Sequence, residues 1–120
     1  MNTGSKTTRE IVTRFHNAFE RHRPEDLDDL IGEDCVLENT APAPDGARYE
    51  GPEACIDFWK GIASSANLVF EAEEIWAGED RGIIRWQLRW SKSEADRIRE
   101  VNIMRVRDGK IVEGLGYVKV

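Results

Sequence analysis

Apolar residues recur three and four positions apart through Ile11, Phe15, Ala18 and Phe19, the spacing of one helical face. Thr7-Thr8-Arg9-Glu10 precedes them and fits a capping box, with Thr7 as N-cap and Glu10 reaching back. The pattern predicts a first helix running to about His22. Pro24 suits the first turn of a second, short helix, with Leu27, Leu30 and Ile31 as its apolar face and Gly32 as its end. Cys35 to Thr40 reads as a strand, and Arg48 to Glu50 as a brief one. Between them, Ala41 to Gly46 carries two prolines and an Asp-Gly and reads as a loop. Gly51-Pro52-Glu53 opens a third helix, whose stripe is Cys55, Phe58, Trp59 and Ile62.

From Leu68 the period changes to two. Leu68 to Ala77, Ile83 to Trp90, Ile98 to Arg107 and Lys110 to Val118 read as strands, separated by turns at Gly78 to Gly82, Ser91 to Asp96 and Asp108-Gly109. Asp-Gly between two alternating runs is the strongest short hairpin signal. One sheet face collects Ile84, Trp86, Leu88 and Trp90, and on the next strand Ile98, Asn102, Met104 and Val106. The other mixes Ile103, Leu115 and Tyr117 with charges of both signs, among them Glu71, Glu73, Arg85, Arg89, Arg105 and Glu113. Helices segregated from an antiparallel meander give the α+β class, with three helices covering the apolar face in one domain over residues 1–120.

Composition narrows the function. The chain has 120 residues, 40% hydrophobic and 33% charged, with a net charge of −6. That is globular, and it argues against nucleic acid, whose phosphates need a basic surface. No run approaches the roughly 18 apolar residues of a membrane span, and Met1 to Arg9 has no signal-peptide apolar region, so a cytoplasmic protein is expected. Cys35 and Cys55 have no C-x-x-C spacing and read as buried free thiols. His16 and His22 are six apart and face differently, and no carboxylate cluster has ligand spacing, so no metal is expected. No phosphate loop or dinucleotide fingerprint occurs, and no cofactor is expected.

Four segments together resemble the SnoaL-like branch of the nuclear transport factor 2-like superfamily. They are Ile11-Val12-Thr13-Arg14-Phe15, Asp34-Cys35-Val36-Leu37-Glu38-Asn39-Thr40, Tyr49-Glu50-Gly51-Pro52-Glu53-Ala54 and, above all, Met104-Arg105-Val106-Arg107-Asp108-Gly109-Lys110-Ile111-Val112-Glu113. The resemblance implies a cone in which a curved, mixed sheet wraps a long N-terminal helix around an apolar cavity. It also implies a homodimer through the outer sheet face, here bearing Ile103, Arg105, Leu115 and Tyr117. The branch holds cyclases, isomerases, epoxide hydrolases, dehydratases and proteins without known activity, so fold alone does not choose a reaction.

Residue by residue, the known chemistries of the branch are not met. The steroid-isomerase pattern places an acidic base, a tyrosine and a protonated acid where this chain has Asn39, Phe15 and Asn102. Asn39 cannot serve as a base, Phe15 has no hydroxyl, and Asn102 offers only an amide. Epoxide hydrolases of the branch need an Arg-x-Asp, which this sequence lacks. Asn39 and Asn102 are therefore expected to orient a ligand, with His16 or Glu38 moving a proton. Alternation leaves open whether Glu38 or Asn39 faces the pocket. The expected wall is Phe15, Trp59, Trp86, Leu88, Trp90, Met104, Gly114, Gly116 and Val118, with the two glycines leaving room opposite the tryptophans. Two function classes stay open: a cofactor-free isomerase, cyclase or dehydratase acting on an apolar or polycyclic small molecule, and a non-catalytic ligand-binding or interaction module.

Overall fold

A computed structural model describes residues 4–120. Helix α1 spans Gly4–Glu20, and its buried stripe is Ile11, Val12, Phe15, Ala18 and Phe19. The backbone is already helical at Gly4, so Thr7 is no N-cap; the capping contacts expected of its side chain lie outside the described residues. The helix ends at a turn where His22 takes φ 54°, and His22 Nε2 lies 2.7 Å from the Leu68 carbonyl oxygen.

The expected second helix is absent. Pro24–Leu27 makes a single 3₁₀ turn, and Ile31 already begins strand β1, Ile31–Glu38, which runs through Gly32. Leu27, Leu30 and Ile31 are buried as expected, but from a turn and a strand start. The described residues thus hold two α-helices. Strand β2 is Arg48–Glu50, and helix α2, Pro52–Ala63, starts at the proline read from the sequence. The meander follows as β3, Val69–Gly78, β4, Arg81–Arg89, β5, Arg97–Arg107, and β6, Lys110–Val118.

These strands form one six-stranded mixed sheet in the order β2-β1-β6-β5-β4-β3. Only β1 and β6 pair in parallel; the other pairs are antiparallel. The sheet is open, with β2 and β3 as edges, so no closed barrel forms. Bulges interrupt the ladder between Ala72 and Glu74 and between Arg105 and Val106, and such insertions bend and twist strands. The Asp108-Gly109 turn has φ 55° and 74° at its two residues, the pair of positive values that a type I′ hairpin needs.

Helix α1 lies across the inner face of β3 and β4, and α2 against β1. Contact is closest where Val12 crosses Gly82: a Cβ there would stand 2.5 Å from Val12 Cγ2. Phe15, Phe70, Leu37, Ile84 and Met104 are fully buried in this interface, each contributing about 1.5–3 kcal/mol of transfer free energy. Cys35 and Cys55 are buried free thiols, as read; desolvation raises both above an ordinary thiol, which keeps them unreactive.

The outer face is the mixed surface expected. Ile103 stands opposite Leu115 and Ile83, and Val101 opposite Tyr117. Around them Glu73 pairs with Arg85 at 3.0 Å and Arg99 at 3.1 Å, and Arg81 with Glu113 at 2.7 Å. No described helix is long and apolar enough to cross a membrane.

Candidate functional site

Between the two helices and the inner sheet face lies a cavity of about 220 Å³. Its aromatic wall is continuous. Trp86 contacts Phe70 with ring centres 5.8 Å apart, Phe70 meets Phe19 at 5.6 Å, Phe19 meets Phe15 at 5.0 Å, and Phe15 meets Trp59 at 4.8 Å. Rings at these separations, tilted or edge-on, attract through their quadrupoles beyond simple burial. Helix spacing delivers Phe15 and Phe19 from one face of α1, and α2 delivers Trp59 in the same way.

Trp59 needs a glycine opposite it. A Cβ on Gly114 would sit 2.7 Å from Trp59 Cζ2, so the room left by Gly114 is filled by the indole. Gly116 also lines the cavity, and a Cβ there would press against the Glu38 carbonyl at 3.3 Å and Thr40 Cγ2 at 3.4 Å, with Asn102 Oδ1 at 3.8 Å.

The polar groups gather where β4, β5 and β6 face α1. Asn102 accepts from Trp86 Nε1 at 3.3 Å through Oδ1, which leaves Nδ2 as the donor end of an amide lining the cavity. Two residues earlier on the same face is Glu100, only 9% exposed and also lining the cavity. Among the described residues no ion pair or hydrogen bond engages its carboxyl. Desolvation without compensation pushes that carboxyl up to about 7, because burial disfavours the charged form.

His16 lies inward, 4% exposed. Its ring packs against Trp86 with centres 5.9 Å apart. Nε2 has no hydrogen-bond partner and stands 3.9 Å from Glu20 Oε2, an oxygen that accepts from the Ala72 amide at 3.3 Å. Burial lowers the imidazole below its ordinary value, and the nearby Glu20 charge only partly opposes this. His16 is therefore neutral at physiological pH.

Glu38 and Asn39 both line the cavity. The Glu38 carboxylate is tied to Arg48 at 3.1 Å. Asn39 Nδ2 reaches toward the Ala41 carbonyl at 3.5 Å, where β1 gives way to the proline loop. Phe15, Trp59, Trp86, Leu88, Gly114 and Gly116 line the cavity as expected. Three expected wall residues do not. Trp90 follows the last residue of β4 and is 44% exposed, because the inward alternation ends with the strand. Met104 is fully buried in the core, near Gly114. Val118 pairs with Glu100 at the end of β6, outside the lining.

Glu100 is the residue the sequence reading passed over. The signal was present: it falls between Ile98 and Asn102, with their parity. Phe19, Phe58 and Phe70 also line the cavity, the first two from predicted helix stripes and Phe70 from a predicted strand. Among the described residues, no cluster of His, Cys, Asp and Glu could hold a metal ion.

The SnoaL-like domain model matches residues 12–114. The chain belongs to the SnoaL-like domain family. An NTF2-like protein of unknown function from Mesorhizobium loti is 45% identical, with a TM-score of 0.91 over 100% of this chain and 97% of that one. An LEH-like epoxide hydrolase from M. tuberculosis superposes with a TM-score of 0.75 at 18% identity, over 99% and 83% of the two chains. A de novo designed protein with a curved β-sheet superposes with a TM-score of 0.76 at 17% identity, over 98% and 88%. The last two likenesses concern the fold alone. No curated protein matches the chain.

Proposed function

We propose that this SnoaL-like chain is a small-molecule pocket protein that moves a proton on an apolar ligand without a cofactor, as an isomerase, cyclase or dehydratase does. The observation that carries the reading is Glu100, a buried carboxyl with no partner among the described residues, in an aromatic cavity beside the amide of Asn102. A carboxyl poised near neutrality both gives and takes a proton, which suits general acid–base work. Asn102 Nδ2 would hold a ligand carbonyl, and neutral His16 would accept the proton that Glu100 does not. Glu38, expected from the sequence to move a proton, is assigned instead to fixing the rim through Arg48.

The cavity volume sets the ligand size. About 220 Å³ exceeds the roughly 150 Å³ void that accepts benzene and falls short of the roughly 300 Å³ where drug-sized sites begin. One or two rings fit this space better than a polycyclic body, one of the two ligand kinds expected from the sequence. Epoxide hydrolysis, the activity named for the M. tuberculosis relative, does not carry over, because this chain has no Arg-x-Asp.

The test is to incubate the protein with one- and two-ring ketones in deuterium oxide and follow loss of the α-proton signals by NMR. Exchange accelerated by the native chain and lost in Glu100→Gln supports the reading. A native chain that accelerates no member of the panel overturns it in favour of the second reading, a non-catalytic binding module. That second reading draws on the amides at Asn39 and Asn102, which orient a ligand but take no proton.

We further propose a homodimer through the outer sheet face. Ile103, Leu115 and Tyr117 form an apolar strip there, rimmed by the Glu73 and Glu113 ion pairs. A self-complementary strip of this kind suits a two-fold interface.

A further inference from the structure

A carboxylate taken from water is normally matched by a cation or several donors. Glu100 has neither among the described residues, although arginines are near in sequence. Arg97 and Arg99 flank it on β5 but lie on the opposite face, where Arg97 binds Gln87 at 2.9 Å and Arg99 binds Glu73 at 3.1 Å. The elements packed around the cavity supply no counter-charge among the described residues, and β3 gives it only Phe70. Strands β4 and β6 place Trp86 and Val118 opposite Glu100. Helix α1 brings His16, held neutral, with Glu20 behind it. From β1 comes Glu38, already neutralised by Arg48. Helix α2 contributes only apolar side chains to the wall, and its Lys60 is paired with Asp28 at 2.5 Å. Among the described residues, no lysine or arginine lines the cavity.

Beside that carboxyl stands the continuous wall of Trp86, Phe70, Phe19, Phe15 and Trp59. Aromatic faces together with one acidic group are what recognises a desolvated organic ammonium, through the ring quadrupoles and direct charge pairing. We propose that the cavity takes a small organic cation: an ammonium on a one- or two-ring apolar body, paired with Glu100 beside Trp86. The proposal rests on the reading that this cavity binds a small molecule, and it holds whether or not a reaction follows. It replaces a purely apolar ligand with one bearing a single positive charge.

Linkage fixes the pH dependence. Only ionised Glu100 pairs with the cation, so binding strengthens as pH rises through the carboxyl's titration near 7. About a tenth of the carboxyls are ionised at pH 6 and about nine-tenths at pH 8, a change of about tenfold in affinity. Burial disfavours the charged form of His16, so its imidazole does not supply the cavity with a competing cation at pH 8.

Benzyltrimethylammonium and neopentylbenzene test this directly. They share one shape, differ by one charge, and neither titrates. Binding of each is measured by tryptophan fluorescence at pH 6 and pH 8, on the native chain and on Glu100→Gln. The expected result is a preference for the cation at pH 8, about tenfold weaker at pH 6 and lost in Glu100→Gln, which still binds neopentylbenzene and so retains its cavity. Equal affinities at pH 8, or a preference that survives Glu100→Gln, would overturn the proposal while leaving the pocket reading intact. If neither probe binds the native chain up to its solubility limit, the pocket reading fails and the proposal with it.

Discussion

Glu100 stands directly across the β4–β5 ladder from Trp86. The same indole donates to Asn102, two residues further along β5. One tryptophan therefore forms the aromatic floor beneath the carboxyl and fixes the amide next to it. Cross-strand neighbours have Cβ atoms only about 4.5–5.5 Å apart, so register alone holds this group together. The acid is desolvated by the wall that would also desolvate a ligand.

Glu100 should make stability fall as pH rises. Its carboxyl is raised in the folded chain to about 7 from an ordinary 4.5, so the native state binds the proton more tightly than the unfolded one. Stability is greatest below the unfolded value and is lost as pH climbs from about 4.5 through 7. The loss is on the order of 3 kcal/mol. Urea unfolding of native and Glu100→Gln chains at pH 5 and pH 8 is the measurement. The variant is expected to gain on the native chain at pH 8 relative to pH 5, and an unchanged difference would contradict the burial argument.

His16 acts in the opposite sense on the acid side. Its imidazole is lowered by burial, so the folded chain is penalised as pH falls below the ordinary histidine value near 6.5. A His16→Gln variant is expected to flatten the acid limb of the stability curve between about pH 6.5 and 5. A limb as steep as the native one would mean that the ring charges freely in the folded state.

Gly114→Ala is expected to cost about 1–3 kcal/mol. The new methyl would stand 2.7 Å from Trp59 Cζ2, and Trp59 is wedged by Phe15. Differential scanning calorimetry reads the loss of stability. Combining it with Trp59→Phe should recover part of it, because the smaller ring vacates the space. A double variant no better than the single would locate the strain elsewhere.

Much of the fold was legible because local pattern and tertiary environment agree. The α1 stripe, the Asp108-Gly109 hairpin and the two faces of β4 follow from period and turn chemistry alone. Leu27, Leu30 and Ile31 misled because a buried turn running into a strand leaves the same i, i+3, i+4 trace as a helix. Trp90 misled because alternation carries no mark of where pairing stops. Glu100 was missed for a third reason. Parity put it inward, but a lone acid on an apolar face defies the rule that interiors exclude unpaired charge, and such violations mark functional sites. The fit of Trp59 to Gly114 depends on a contact between distant parts of the chain that no local pattern encodes.

The proposed dimer has a simple check. Leu115→Glu places a charge opposite Ile103 on the outer strip, on the face of the sheet turned away from the cavity. Sedimentation at tens of micromolar is expected to find a dimer for the native chain and a monomer for the variant. A native chain that is monomeric at that concentration would end the proposal.

The most direct measurement is the pH titration of the Glu100 carboxyl carbon by NMR, assigned by its absence in Glu100→Gln and followed from pH 4 to pH 9 with and without saturating benzyltrimethylammonium. A midpoint near 7 in the free chain, moving downward when the cation is bound, is expected of a desolvated acid inside a ligand-accepting cavity. A midpoint in the ordinary carboxylate range, unmoved by the cation, would contradict it.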